Sequence, residues 1–311
     1  MPNLITHIWF GKEVLKKIDP ALANKILEHK DAFILGNMGP DFMYAIRELG
    51  FPTRSYPNSL HHNYQCATFT AIANYLHNKD NPIAFSYAMG MLCHYVADKN
   101  LHSFVNALCE GFVSKELDGK ANPYAHGFIE SAIDTHIITE RMGVSNPNKY
   151  YPDRDLRSKR KTRLAIGKMF VDCVDEVHGY KIKPWQASLS FELTRLFIWF
   201  ANDPHGIRHP LVRKIEDWVM GGTMQVTALM RPPVKYEEID YLNFKHAPYR
   251  KVRNEEELTN RDAMQILDSA IEEVVSDYIP EFYSAICSGT PLTHNKYDIN
   301  YEGLRAGNDL K

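Results

Sequence analysis

His94, Asp98 and His102 stand four residues apart in one short run of the chain. On a helix that spacing points all three side chains the same way from successive turns. Residues 84–93, just before them, carry no charge at all. A helix that is apolar nearly all round is a buried one, so His94 and Asp98 are expected to enter the interior with it. A buried carboxylate is costly unless it is paired or bound to a metal. Two imidazoles one turn away on either side make a metal ion the simplest partner. For this segment alone, a His–Asp hydrogen bond inside a core is the plain alternative.

A second segment repeats the pattern. His126 and Glu130 again place an imidazole and a carboxylate one turn apart in a largely apolar stretch, and Asp134 follows one turn later. Two helices that each bury such a pair suggest one shared site. Nitrogen and oxygen donors without cysteine suit zinc better than manganese or iron. Further candidates lie upstream at His7, Asp41 and the adjacent pair His61 and His62, between which the spacing does not decide, although the local setting slightly favours His61. Nine of the 14 histidines fall within the first 136 residues, so the cluster belongs to the N-terminal half. Asp134 reads either as a carboxylate steering His126 or a neighbour, or as an exposed helix residue. His136 is off the ligand face, and the histidines at 29, 77, 178, 205, 209, 246 and 294 carry no persuasive carboxylate partner, so surface or structural roles are expected for them.

The order His7, Asp41, His61/His62, His94-x3-Asp98, His102, His126-x3-Glu130 resembles the bacterial zinc-dependent phospholipase C family, which is related to the fungal zinc-dependent nucleases. The resemblance implies an all-α fold with zinc ions held among helices. It assigns Asp41, one histidine of the 61/62 pair, His94 and Asp98 to a first ion, and His102, His126 and Glu130 to a second. A third would take His7 and a bridging Asp98, completed in secreted members by the mature N-terminal amine and carbonyl. The chain departs from that pattern in a shorter Asp98-to-His102 spacing and in a short segment before His7. The expectation is therefore two firm zinc sites and a weaker third. The activity implied is hydrolysis of a phosphodiester, most simply phospholipid cleaved to release a phosphorylated headgroup, with Asp41 as the catalytic residue that orients or deprotonates the attacking water. A zinc-dependent nuclease or nucleotide phosphodiesterase, and a non-catalytic structural zinc protein, are the alternatives.

Composition sets the frame for these elements. The 311 residues are 44% hydrophobic and 24% charged, ordinary for a globular chain. A net charge of −2 argues against a stable nucleic-acid complex. The start lacks a basic, then apolar leader pattern, and the five cysteines are scattered without CxxC spacing, as free thiols would be. A cytoplasmic location is the expectation, with no protein partner inferable. Helical periodicity covers residues 20–29, 61–76, 82–98, 123–140, 163–177, 186–201 and 210–230 and a last helix to about 278, with Asp19-Pro20 and a capping box Thr259-Asn260-Arg261-Asp262 as helix starts and Asn122-Pro123 as a further cap. Strand patterns are hard to find. The fold is expected to be all-α, one domain over residues 1–287 followed by an irregular polar tail over 288–311. Residues 231–249, rich in proline and aromatics, read as a packed surface loop or a lid. The run 149–163 holds seven Lys/Arg against two Asp, the usual mark of a solvated helix start and alternatively a patch for phosphate or peripheral membrane contact.

Overall fold

A computed structural model describes residues 4–45, 55–111, 125–220, 227, 230, 240–251 and 254–306. The helices in chain order are α1 Leu4–Lys17, α2 Pro20–Leu27, α3 Lys30–Gly36, α4 Tyr56–His62, α5 Gln65–Asn78, α6 Pro82–Gly111, α7 Ala125–His136, α8 Pro152–Asp155, α9 Arg160–Met169, α10 Asp175–His178, α11 Pro184–Ala201, α12 Arg208–Met220, α13 Ala263–Glu273 and α14 Ile279–Ser288. The fold is all-α. One small antiparallel hairpin, β1 Tyr249–Lys251 with β2 Asn254–Thr259, is the exception among the described residues. It escaped pattern reading because its longer strand, with three consecutive glutamates, shows no alternation.

The spine of the molecule is α6. It runs well past the 82–98 span expected, to Gly111, and Ala84, Tyr87–Met89, Leu92 and Tyr95–Ala97 are all fully buried. Such a helix is held by packing on every side rather than by a polar face toward water. Helices α1, α3, α7 and α13 lean against it. At the α3 crossing a pair of glycines lets the backbones touch: a Cβ on Gly36 would lie 2.2 Å from the Tyr87 carbonyl oxygen, and one on Gly90 would lie 2.3 Å from that of Phe33. This approach brings the turn after α3 against His94. Gly39 in that turn has φ +51°, and a Cβ there would fall 2.1 Å from His94 Cδ2, so glycine is required both for the backbone and for the space.

The helix expected over 61–76 is two helices. Tyr64 takes a left-handed conformation with φ 59°, which ends α4 at His62 and turns α5 away. Asp19 caps α2 by accepting the N–H groups of Ala21 and Leu22 at 2.9 and 3.0 Å, and α13 starts three residues later than the expected Thr259 box, with Asp262 as the cap in a reciprocal capping box with Gln265, each satisfying orphan N–H groups. π-helical turns follow α7, α9 and α13 at Ile137–Arg141, Phe170–Val174 and Val274–Tyr278. Most of the 231–249 stretch and the Asn122 cap lie outside the described residues. The segment beyond α14 is irregular but not peripheral, since Tyr297, Ile299 and Tyr301 are buried in the core beside α6. No described helix is long and apolar enough to cross a membrane.

Candidate metal centre

Three groups of side chains bring their donor atoms within 4.8 Å of one another: Asp41–His61–His94, His7–His94–Asp98 and His102–His126–Glu130. Five segments supply them. Helix α6 gives His94, Asp98 and His102, α1 gives His7, the turn Asp41–Met43 gives Asp41, α4 gives His61, and α7 gives His126 and Glu130. Asp98 joins the groups. Its Oδ1 lies 3.0 Å from His7 Nε2 and 3.9 Å from His102 Nε2, and its Oδ2 lies 3.1 Å from His94 Nε2.

The orientation of the imidazoles is set from behind. His61 Nδ1 sits 2.7 Å from the Pro57 carbonyl oxygen, His94 Nδ1 3.1 Å from that of Asn37, and His102 Nδ1 2.9 Å from that of Tyr301. A carbonyl accepts only, so each Nδ1 carries the proton, and each neutral ring aims a bare Nε2 lone pair into the cluster. Those lone pairs face carboxylates: His61 Nε2 is 2.7 Å from Asp41 Oδ1, and His102 Nε2 is 3.3 Å from Glu130 Oε1. His126 Nε2 adds a third nitrogen 3.1 Å from the same Glu130 oxygen. Lone pair against lone pair is repulsive, so positive charge has to sit between them, as protons or as metal ions. His94 Nε2 and His7 Nδ1 are moreover buried without a hydrogen-bond partner. The donor set, its burial and its tautomers fit zinc.

Without metal the same demand falls on protons. Burial would lower the pKa of His102, but the Asp98 charge and the Glu130 hydrogen bond reverse that and raise it well above the ordinary value. His7 is raised in the same sense, with Asp98 again overcoming burial. Burial likewise pushes Asp98 up, and the imidazoles of His94, His102 and His7 pull it well below the usual carboxylate range. Glu130 is lowered by His126 and His102 against its own burial. Asp41 is also lowered: burial works the other way, yet the carboxylate is 21% exposed, and the hydrogen bond with His61 prevails.

The expected residues separate under this geometry. Of the His61/His62 pair, His61 joins the cluster, while His62 is exposed and belongs to none of the three groups. Helix α4 turns the two side chains about 100° apart, so only one can face inward. Asp134 does not face solvent. It is buried and accepts both the N–H and the hydroxyl of Thr6, at 2.8 and 2.7 Å, pinning the first turn of α1 beside His7. The basic run 149–163 lies apart from the cluster; Arg157, Lys159 and Lys161 line a cavity of about 590 Å³ together with Glu28 and Asp31, so acids share that wall. The backbone acceptors Asn37, Pro57 and Tyr301 had no side-chain signature by which to be found.

His178 is structural but far from inert. It bridges Ser59 Oγ on α4 and Thr68 Oγ1 on α5, both at 2.8 Å, two residues from His61. Burial alone lowers its pKa to about 4. A folded pKa below the unfolded value means stability that is complete above about 6.5 and declines as pH falls toward about 4. The loss is on the order of 3 kcal/mol over that window. Denaturant unfolding followed from pH 7.5 to 4.5 should show a shallower decline in His178→Gln than in wild type, although the variant starts lower. Parallel curves would contradict this role.

The family model of zinc dependent phospholipase C matches residues 6–192. That span covers more than half of the chain and contains all eight clustered side chains. The chain belongs to the zinc-dependent phospholipase C family. No curated protein and no solved structure matches it significantly. For a zinc-dependent phospholipase C relative the all-α fold and the buried His/Asp/Glu groups are what the family implies, and membership supports a zinc-dependent, phospholipase-like hydrolase. The matched span ends inside α11, so Tyr301, which closes the cluster from behind, lies outside it.

Proposed function

We propose that the protein is a zinc-dependent phosphodiester hydrolase of the phospholipase C type, releasing a phosphorylated headgroup from phospholipid by attack of an activated water. The observation that carries this reading is the set of imidazoles held by backbone carbonyls with their lone pairs aimed at carboxylates. Asp41, His61, His94 and Asp98 would hold one ion, and His102, His126 and Glu130 a second. His94 has one nitrogen to give, because Nδ1 is committed to Asn37. With that nitrogen spent on the first ion, His7 and Asp98 are left for a third, which is the weakest of the three.

Zinc, when bound, supplies Lewis acidity for the phosphate oxygens and a bound water whose pKa falls to about 7. The protein's own contribution is access, orientation and a base. His126 and Asp41, with side chains 37% and 21% exposed, are the most open of the eight, so substrate enters on their side. Asp41 is ionised at neutral pH and is held by His61, ready to orient the attacking water and accept its proton. His7, His94 and Asp98, nearly sealed from solvent, keep the floor of the site dry.

Release of phosphocholine from dispersed short-chain phosphatidylcholine, run beside 3′-nucleotide and single-stranded DNA hydrolysis, tests the reading. Lipid turnover that is lost on chelation and restored by zinc is expected. Turnover of the nucleotide substrates alone would move the assignment to a nuclease, and turnover of none would leave a structural zinc protein.

A further inference from the structure

Helices α11 and α12 each turn a large apolar face outward. The buried face of α11 carries Gln186, Ser188, Ser190 and Thr194 beside Ala187, Phe191, Ile198 and Ala201. Its outward face carries Trp185, Leu189, Leu196, Trp199 and Phe200, each more than a third exposed. On α12 the buried side chain is an acid, Glu216, which accepts the N–H and hydroxyl of Thr227. Facing out, together with Ile207 just before the helix, are Leu211, Ile215, Trp218 and Val219, exposed by 53% to 86%. Their i, i+4, i+8 and i+11/i+12 spacing makes one continuous apolar stripe. Three of the four tryptophans in the chain stand on these two helices, and the fourth, Trp9, is buried.

We propose that the outward faces of α11 and α12 together form a docking surface for an anionic lipid bilayer. Exposed Trp, Phe and Leu on one face, with lysine and arginine at its borders, is the composition of a helix that lies in a membrane interface. Tryptophan in particular settles at the headgroup level. The borders here are cationic: Lys181 and Lys183 precede α11, and Arg208 and Lys214 lie on α12. The nearby acids are largely neutralised. Glu192 is paired with Arg195 and Arg163, and Asp217 with Arg213.

The corner between the two helices is fixed, so the stripes act as one surface. The Arg208 guanidinium donates to the carbonyls of Trp199 and Phe200, at 2.9 and 3.1 Å, and stacks 4.5 Å from the centre of the Trp199 ring. Asp203 caps α12 by accepting the His209 N–H at 2.9 Å. The surface is also tied to the cluster. From the buried side of α11, Phe191 stacks on Phe42 at 3.8 Å, and the Ser190 hydroxyl donates to the Phe42 carbonyl, one residue from Asp41. The bilayer that presents the substrate would press on the helix that backs the catalytic turn. This inference deepens the lipid reading and rests on it, but vesicle binding is read without turnover, so either can fail alone.

The test is co-sedimentation of full-length protein with vesicles of phosphatidylcholine containing one third phosphatidylserine, beside pure phosphatidylcholine. Wild type is expected to bind the anionic vesicles more tightly. Trp199→Ser combined with Trp218→Ser should weaken that binding at least about tenfold, while turnover of dispersed short-chain phosphatidylcholine is unchanged. Trp218→Asp alone, at the most exposed of these positions, gives a second variant with no packing to lose, and should weaken binding as well. Wild type that ignores the vesicles, or variants that bind as well as wild type, would overturn the proposal. So would a wild-type dimer in light scattering that Trp218→Asp dissolves, since the stripe would then belong to a second copy.

Discussion

Asp98→Asn is expected to leave a folded protein that no longer holds metal and has lost nearly all of the proposed phosphodiesterase activity. The substitution preserves size and one carbonyl oxygen but removes the charge that His7, His94 and His102 all face. Removing one partner of a buried ion group costs ~3–5 kcal/mol, or about 10²–10⁴ in affinity. Two of the proposed ions draw on this one carboxylate, so the loss falls on both. Metal content and turnover measured on the same preparation check the result, with His294→Ala as the exposed control. Full metal and full turnover in Asp98→Asn would show that the carboxylate at the centre of α6 is not a ligand.

The second large effect is expected at Tyr301. Its ring is fully buried and lies 5.1 to 5.5 Å from those of His61, Tyr95 and His94. Its main chain closes the cluster from behind, accepting from His102 Nδ1 and donating to the His61 carbonyl at 3.1 Å. Tyr301→Ala keeps the main-chain contacts but opens a cavity against these three rings and should cost about 3–5 kcal/mol, with most of the activity going as the His61 and His94 rings lose the packing that holds them. The Tyr301 hydroxyl, in contrast, is buried without a hydrogen-bond partner. Tyr301→Phe should therefore keep stability and metal, because an unsatisfied hydroxyl contributes nothing that its removal forfeits. Urea unfolding with metal analysis separates the two variants. A Phe variant as damaged as the Ala variant would mean that the hydroxyl, rather than the ring and backbone, does the holding.

What the sequence disclosed follows from what has a local signature. The uncharged run before His94 and the four-residue ligand spacings identify a buried helix with a polar seam, because helical period and burial are local properties. The Asp19 cap is local too, and the start of the last helix was visible, although its cap is Asp262 with Gln265 rather than Thr259 with Asp262. His61 could not be separated from His62, because the choice depends on where α4 ends and how Tyr64 turns the chain. The burial of Asp134 was not legible because its partner, Thr6, is 128 residues away. The carbonyls of Asn37, Pro57 and Tyr301 fix the imidazole tautomers without any side chain to announce them. In α11 and α12 the periodicity was visible, but periodicity does not say which face turns inward: α11 buries Phe191 and Ile198 while its tryptophans stay out, and on α12 Glu216 is buried while Leu211, Ile215 and Trp218 face outward.

Whether this cluster is a zinc centre is read from the metal content of the full-length protein purified without chelator, by mass spectrometry. Two zinc ions per chain are expected from the Asp41–His61–His94–Asp98 and His102–His126–Glu130 sets, and a third at most, held by His7 and Asp98. Zero or one ion, or a metal other than zinc at full occupancy, would contradict the account.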